Sequence, residues 1–151
     1  MASDNNADFQ SNLNDIQGLL IRGYSNLEAA CFVLLGIEEV DPARRWLGSL
    51  VDEIVAGDTK PAEVAVNIAF TFAGLQKLGL SPETLTQFSQ QFQEGMTTDY
   101  QQRILGDQGD SAPEQWSWGG PNTAPVHILL MLYAATEGEG VFRIDLIDAG
   151  G

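Results

Sequence analysis

The chain has 151 residues, of which 7 are Lys or Arg and 21 are Asp or Glu, so its formal net charge at pH 7 is −14. This charge repels phosphate backbones and anionic lipid headgroups, which excludes nucleic acids and membrane surfaces as expected partners. The single cysteine excludes an intramolecular disulfide, and the polar first residues lack the basic and apolar regions of a signal peptide, so we expect a cytoplasmic protein.

The first part of the chain predicts one strand and one amphipathic helix. Residues 1–12 are polar and are expected to form a frayed N-terminus, followed by a single domain over residues 13–151. The short β-branched and aromatic run Cys31–Ile37 predicts a strand buried on both faces. Asp41 before Pro42 is a typical helix start, and apolar residues recur after it at helical spacing.

The middle of the chain predicts a second strand and two short helices. Val64–Thr71 alternates large apolar residues with small ones and with Asn67, so the predicted strand has a large face and a small face. A short helix is expected over Phe72–Leu78, closed by Gly79. Ser81 is a candidate N-cap for another helix.

The last third predicts a long loop and two further strands. Residues 95–125 are rich in Gly, Pro, Asp and Ser and predict an irregular surface loop pinned by Trp116. Val126–Tyr133 predicts a third strand that is apolar on both faces, and Val141–Ile147 a fourth strand at an edge.

The order of these elements indicates the α+β class. The best match is a ferredoxin-like antiparallel sheet with helices on one face. One departure is visible, because the interval between Tyr133 and Val141 leaves no room for the second crossover helix of that fold.

A series of short segments gives the chain a family resemblance. The segments are Asp15–Tyr24, Ala43–Leu47, Val66–Leu75, Leu78–Leu80, Phe92–Met96, Leu105–Asp107, Ser111–Trp116 and Val126–Leu130. Each is weak alone, but together, in this order and with this spacing, they resemble the N-terminal part of dye-decolourising (DyP-type) haem peroxidases. The resemblance covers about residues 14–135.

This resemblance implies a fold of the dimeric α+β barrel type, in which two ferredoxin-like halves pack sheet against sheet and haem lies in the C-terminal half. There, a Gly-x-x-Asp-Gly motif supplies a distal aspartate, an arginine helps to polarise the peroxide, and a histidine ligates the iron. No Gly-x-x-Asp-Gly occurs in this sequence, and Gly106–Asp110 has its glycine and aspartate in the wrong order. No catalytic, cofactor-binding or metal-binding residue is therefore assigned, and no cofactor is expected in the isolated chain.

The remaining candidates for chemistry favour structural roles. His127 is the only histidine and is followed by apolar residues, so it is expected to be a hydrogen-bonded sheet residue rather than a haem ligand. Cys31 is expected to be a small core residue. Asp107, Asp110 and Glu114 do not have the spacing of a calcium loop and are expected to be solvated or to act as caps.

These observations favour a non-catalytic, truncated or split-off homologue of the peroxidase N-terminal half. One alternative is half of a haem peroxidase completed by a partner chain. Another is a small-molecule-binding dimeric α+β barrel, in which Asn67 and His127 are the obvious polar groups on otherwise apolar strands. A sheet that is apolar on both faces, with helices for one, predicts a homodimer through the open sheet face, unless a C-terminal peroxidase half or the tail 137–151 covers it.

Overall fold

The structure is a computed structural model, and it describes residues 12–135. The fourth strand predicted at Val141–Ile147 and nearly all of the predicted frayed N-terminus lie outside the described residues. Within residues 12–135, no helix is both long enough and apolar enough to cross a bilayer.

Three strands form one antiparallel sheet. They are β1 (Ala29–Leu35), β2 (Val64–Phe70) and β3 (Ile128–Ala134), and their order in the sheet is β1-β3-β2. The central β3 explains the apolar run near the end of the sequence, because a strand with neighbours on both sides is shielded along its length. The predicted α+β, ferredoxin-like class is confirmed.

The two side-chain rows of β3 differ in burial. Ile128, Leu130, Leu132 and Ala134 are all buried, whereas the alternate residues between them are half-buried. The sheet therefore has one well-covered face and one face that is covered only in part.

The prediction that β1 is buried on both faces is wrong. Most of its residues are exposed, including Cys31, which is not a core residue. The reason is the position of β1 beside β3 alone, at an edge of the described sheet. A run of apolar residues shows that a strand forms but does not show whether neighbours cover it.

Helices and tight turns fill the connections between strands. The helices are α1 (Gly18–Ile21), α2 (Val40–Leu50), α3 (Phe72–Lys77), α4 (Pro82–Leu85), α5 (Gln90–Glu94) and α6 (Asp99–Leu105). Shorter 3₁₀ turns span Leu13–Asp15, Val51–Glu53, Gly109–Ser111 and Pro113–Gln115. The hydroxyls of Thr71, Ser81, Ser89 and Thr98 cap the last four helices by accepting a backbone N–H three residues on.

The prediction of an irregular loop over residues 95–125 is wrong in one respect, because helix α6 lies within it. Thr98 caps this helix, and Gly106 closes it in the left-handed conformation. The helix is inverted relative to the usual pattern: Gln101 is buried, whereas Tyr100 and Ile104 are exposed. The hydrophobic pattern of the sequence therefore does not indicate this helix, because its apolar residues are not on the buried side.

The described residues form two compact units. The first unit comprises residues 12–33, 45–68 and 130–135, and the second comprises residues 34–44 and 69–129. In the first unit, Tyr24, Leu27 and Ala65 form a buried cluster. The buried side chains of the second unit include Ile37, Leu78, Leu85, Pro113 and Ile128.

Candidate functional site

A polar network lies in the core of the first unit. Asn67 on β2 is fully buried, with 0% of its surface exposed. Its Oδ1 accepts a hydrogen bond from the Tyr24 hydroxyl at 2.8 Å, and its Nδ2 donates to Oε1 of Gln17 at 3.2 Å. Gln17 also pairs with the backbone of Ile68, accepting its N–H and donating to its carbonyl oxygen, both at 2.8 Å. The N-terminal segment is thereby joined to β2.

Tyr24 is held on several sides within this network. Burial raises the pKa of its phenol, and the hydrogen bond to Asn67 opposes this rise. Its ring packs edge-on against Tyr133 of β3, with centroids 5.1 Å apart. The hydroxyl lies so close to Gly18 that a Cβ on that residue would stand 2.9 Å from it. The position of the phenol therefore favours glycine at residue 18, because any larger residue there would crowd the hydroxyl.

Arg22 has a structural role in the same segment. Its guanidinium donates a hydrogen bond to the carbonyl oxygen of Gly57. The ion pair in the described part of the chain joins Arg44 to Asp41 at 3.8 Å and does not involve Arg22.

His127 lies immediately before β3, in the second unit, with 5% of its surface exposed. Its Nδ1 accepts a hydrogen bond from the backbone N–H of the buried Ile37 at 2.8 Å. Because Nδ1 is an acceptor, the neutral ring carries its proton on Nε2. Burial lowers the pKa of the imidazole, and the charge of Lys77 lowers it further.

The backbone around His127 is also fixed. Its N–H donates to the carbonyl oxygen of Leu35, and its own carbonyl oxygen accepts the N–H of Thr71 at 3.0 Å. Gly74, in the first turn of α3, lies directly against that carbonyl group, with no space for a Cβ. The imidazole therefore works as part of a junction between the start of β3, the start of α3 and the segment after β1.

The other residues that the sequence offered as candidates for chemistry do not form a cluster. Cys31 is exposed on β1. Asp110 and Glu114 lie on separate 3₁₀ turns and are exposed, and Asp107 follows the end of α6. Across residues 12–135, no three His, Cys, Asp or Glu side chains are placed to hold a metal ion together.

The second unit contains an open groove of about 1580 Å³, which the sequence did not indicate. We call it the aromatic groove, and its large lining side chains are Phe70, Phe72, Phe92, Met96, Trp116 and Trp118. Typical small-molecule sites enclose roughly 300–1,000 Å³, so this groove is wider than a fitted pocket. Trp116 was predicted to pin the loop, and its indole N–H does so by donating to the carbonyl oxygen of Ser111 at 2.9 Å.

The less-covered face of the sheet shows apolar side chains at its β1 edge. Phe32 packs edge-on against Tyr133, with centroids 6.0 Å apart, so both rings lie on the same face. Phe32 is nevertheless 60% exposed, and Leu34, two residues along the strand on the same face, is also exposed. We call this surface the Phe32 face.

The fold and these sites define the chain as an α+β domain in which polar residues join strands to their connecting segments. The family model for the DyP dimeric alpha+beta barrel domain matches residues 50–141, more than half of the chain. The chain therefore belongs to the DyP family and corresponds to the N-terminal half of that family's proteins.

A solved structure has the same fold. The DyP-type peroxidase of Anabaena sp. matches with a TM-score of 0.71 and 20% sequence identity, over 89% of this chain. The chain spans 31% of the length of that peroxidase. A search of curated proteins finds no significant match.

Proposed function

We propose that this chain is a non-catalytic homologue of the N-terminal half of DyP-type peroxidases and acts by associating through the Phe32 face. The segments that resemble the family supply the residues of its structural networks. Gln17, Tyr24, Asn67, Gly74 and His127 all lie in those segments, and each is engaged in backbone or core contacts. The resemblance is thus accounted for by residues that maintain the fold.

The one histidine of this chain does not suit a haem site as it is placed in the described residues. A histidine ligates haem iron through an unprotonated imidazole nitrogen that faces the metal in an accessible cavity. Nδ1 of His127 already accepts the Ile37 N–H, and the ring is not among the residues that line the aromatic groove. We therefore assign no haem to the isolated chain and no reaction step to its residues.

The observation that carries the association is the exposure of Phe32 beside Tyr133. Complete burial of a Phe side chain stabilises a protein by about 1.5–3 kcal/mol relative to exposure. An edge strand with exposed apolar residues is also a common site of association. A second copy of the chain is the partner that we propose, with the Phe32 faces of two copies packed together.

The alternative partner is a separate C-terminal peroxidase half, which would bring its own haem and use the same face. In that case the chain completes the fold of an enzyme without supplying catalytic residues. The exposed, free thiol of Cys31 supports a cytosolic location for either assembly, because reducing compartments keep such thiols reduced.

The experiment that tests the proposal combines a spectrum with a solution mass. The chain is purified from a haem-replete host, its absorbance is recorded with and without added haemin, and its mass is measured by sedimentation at micromolar concentration. We expect a dimer without a saturable Soret band. A tight, stoichiometric Soret band would overturn the assignment of no haem, and a stable monomer would overturn the homodimer.

Two variants locate the interface. Phe32→Asp places a charge on the Phe32 face and is expected to shift the sedimenting species from dimer to monomer. Leu20→Asp is the matched control, because Leu20 is an even more exposed apolar residue, at 78%, on α1 rather than on the sheet. If both variants stay dimeric, or both dissociate, the Phe32 face is not the specific contact.

A further inference from the structure

We propose that the aromatic groove binds an aromatic organic cation. The groove lies entirely within residues 70–126 of the second unit. This proposal does not rest on association through the Phe32 face, and either can fail alone.

One wall of the groove is held in place by its own contacts. Thr123 donates through both its N–H and its hydroxyl to the carbonyl oxygen of Gly120, and Asn122 donates to the carbonyl oxygen of Glu114. Gly120 lies tightly against the carbonyl group of Pro113, where a Cβ would not fit. These contacts hold the segment with Trp116 and Trp118 in shape without a ligand, which lowers the entropic cost of binding.

The ring surfaces of the groove suit a flat, apolar partner. Phe72 and Phe92 form an edge-to-face pair with centroids 6.1 Å apart. Trp116 is fixed through its indole N–H, whereas Trp118 is 63% exposed. A large, exposed indole that lines the same groove as these rings offers a face for stacking and for a cation–π contact.

The negative charge in and around the groove favours a ligand with a positive charge. Among its described lining residues, Glu94 alone carries a formal charge, and none is Lys or Arg. The whole chain adds a net charge of −14 at pH 7. An anionic aromatic ligand would meet repulsion from both sources, whereas a cationic one is attracted to the carboxylate and to the ring faces.

The test compares three flat aromatic probes of similar size: N-methylquinolinium, which is a cation; quinoline at mildly alkaline pH, which is neutral; and naphthalenesulfonate, which is an anion. Affinities are measured by calorimetry and by quenching of tryptophan fluorescence. We expect the cation to bind most tightly and to weaken as salt is added, and the anion to bind least. Equal or tighter binding of naphthalenesulfonate would overturn the proposal.

Substitutions locate the site. Trp118→Ala is expected to weaken the cation about fivefold, the loss that a cation–π contact of about 1 kcal/mol predicts. Glu94→Gln is expected to weaken the cation by about two- to fivefold while leaving quinoline unchanged. Tyr100→Ala is the control, because Tyr100 is an exposed aromatic residue outside the groove.

Two results would count against the site. If Trp118→Ala and Tyr100→Ala bind the cation equally well, the probe does not occupy the groove. If Trp118→Ala instead lowers the sedimenting mass of the protein, the groove is an interface between copies and not a ligand site.

Discussion

The Tyr24 hydroxyl donates a hydrogen bond to Oδ1 of Asn67 over a sequence separation of 43 residues, and both side chains are buried. The same amide donates to Gln17, so one side chain of β2 joins two positions of the N-terminal segment. The small residues of β2 leave space for the ring of Tyr24, since Ala65 belongs to the same buried cluster. The large–small alternation seen in the sequence is therefore a docking surface for this tyrosine.

Tyr24→Phe removes one partner of this contact and leaves the Asn67 oxygen buried without it. We expect the free energy of unfolding to fall by about 1–3 kcal/mol, measured by urea denaturation. Tyr100→Phe is the control, because that exposed phenol should change stability by less than about 0.5 kcal/mol. Equal losses in the two variants would mean that the Tyr24–Asn67 bond adds nothing to stability.

Gly74→Ala sets steric conflict against helix propensity. In an unhindered helix interior, this substitution stabilises by about 0.5–1 kcal/mol. At Gly74 the new methyl group would meet the His127 carbonyl group, so we expect a loss of about 1–3 kcal/mol instead. Gly48→Ala in α2 is the matched control, because nothing lies within 4 Å of a Cβ there. A gain of stability at both positions would show that the backbone at His127 can shift to accept the methyl group at little cost in free energy.

Local sequence signals predicted the cap at Ser81 and the three strands within residues 12–135, since these features depend on neighbouring residues. Ser81 caps α4 as predicted, whereas Thr71, predicted as the last residue of the second strand, caps α3. The bonds of Asn67 to Gln17 and Tyr24 could not be predicted from local patterns, because spacing along a strand does not show which distant segment reaches it. The family resemblance did include both segments, without showing that they touch.

Burial was the property that the sequence predicted least well. The apolar run that contains Cys31 lies in an exposed edge strand. The sequence around Tyr100 is mostly polar and did not indicate helix α6, whose apolar residues Tyr100 and Ile104 are exposed. In both cases the pattern gives the local conformation, whereas the neighbours that decide exposure come from elsewhere in the chain. The aromatic groove was missed for the same reason, because its lining comes from several separate segments.

The exposure of Cys31 can be measured directly. A thiol-specific disulfide reagent should react with it in the folded protein at nearly the rate found in denaturant, since no core contact has to open first. Strong protection in the native protein, relieved only by denaturant, would place the thiol inside a contact and contradict its exposed position on β1.

His127 predicts a defined pH dependence of stability. Its pKa is lowered in the folded protein, so the unfolded chain binds the proton more readily. The stabilisation is therefore complete above the unfolded pKa of about 6.5 and is lost as the pH falls below it, by at most about 1.4 kcal/mol per pH unit. His127→Asn can keep an acceptor for the Ile37 N–H but does not titrate, so it should lack this part of the acid sensitivity. His127→Leu leaves that buried N–H without its acceptor, and above the unfolded pKa we expect it to be less stable than the wild type by about 1–3 kcal/mol.

The wild type, His127→Asn and His127→Leu are compared by the differences in their unfolding free energies, because the many carboxylates of the chain titrate alike in all three proteins. Urea denaturation is followed at several pH values on both sides of the unfolded pKa. The gap in unfolding free energy between the wild type and His127→Asn should shrink as the pH falls, since only the wild type gives up stability to protonation of this ring. A gap that stays constant with pH would mean that the imidazole takes up its proton equally well in the folded chain, and that the Ile37 N–H does not depend on a neutral Nδ1.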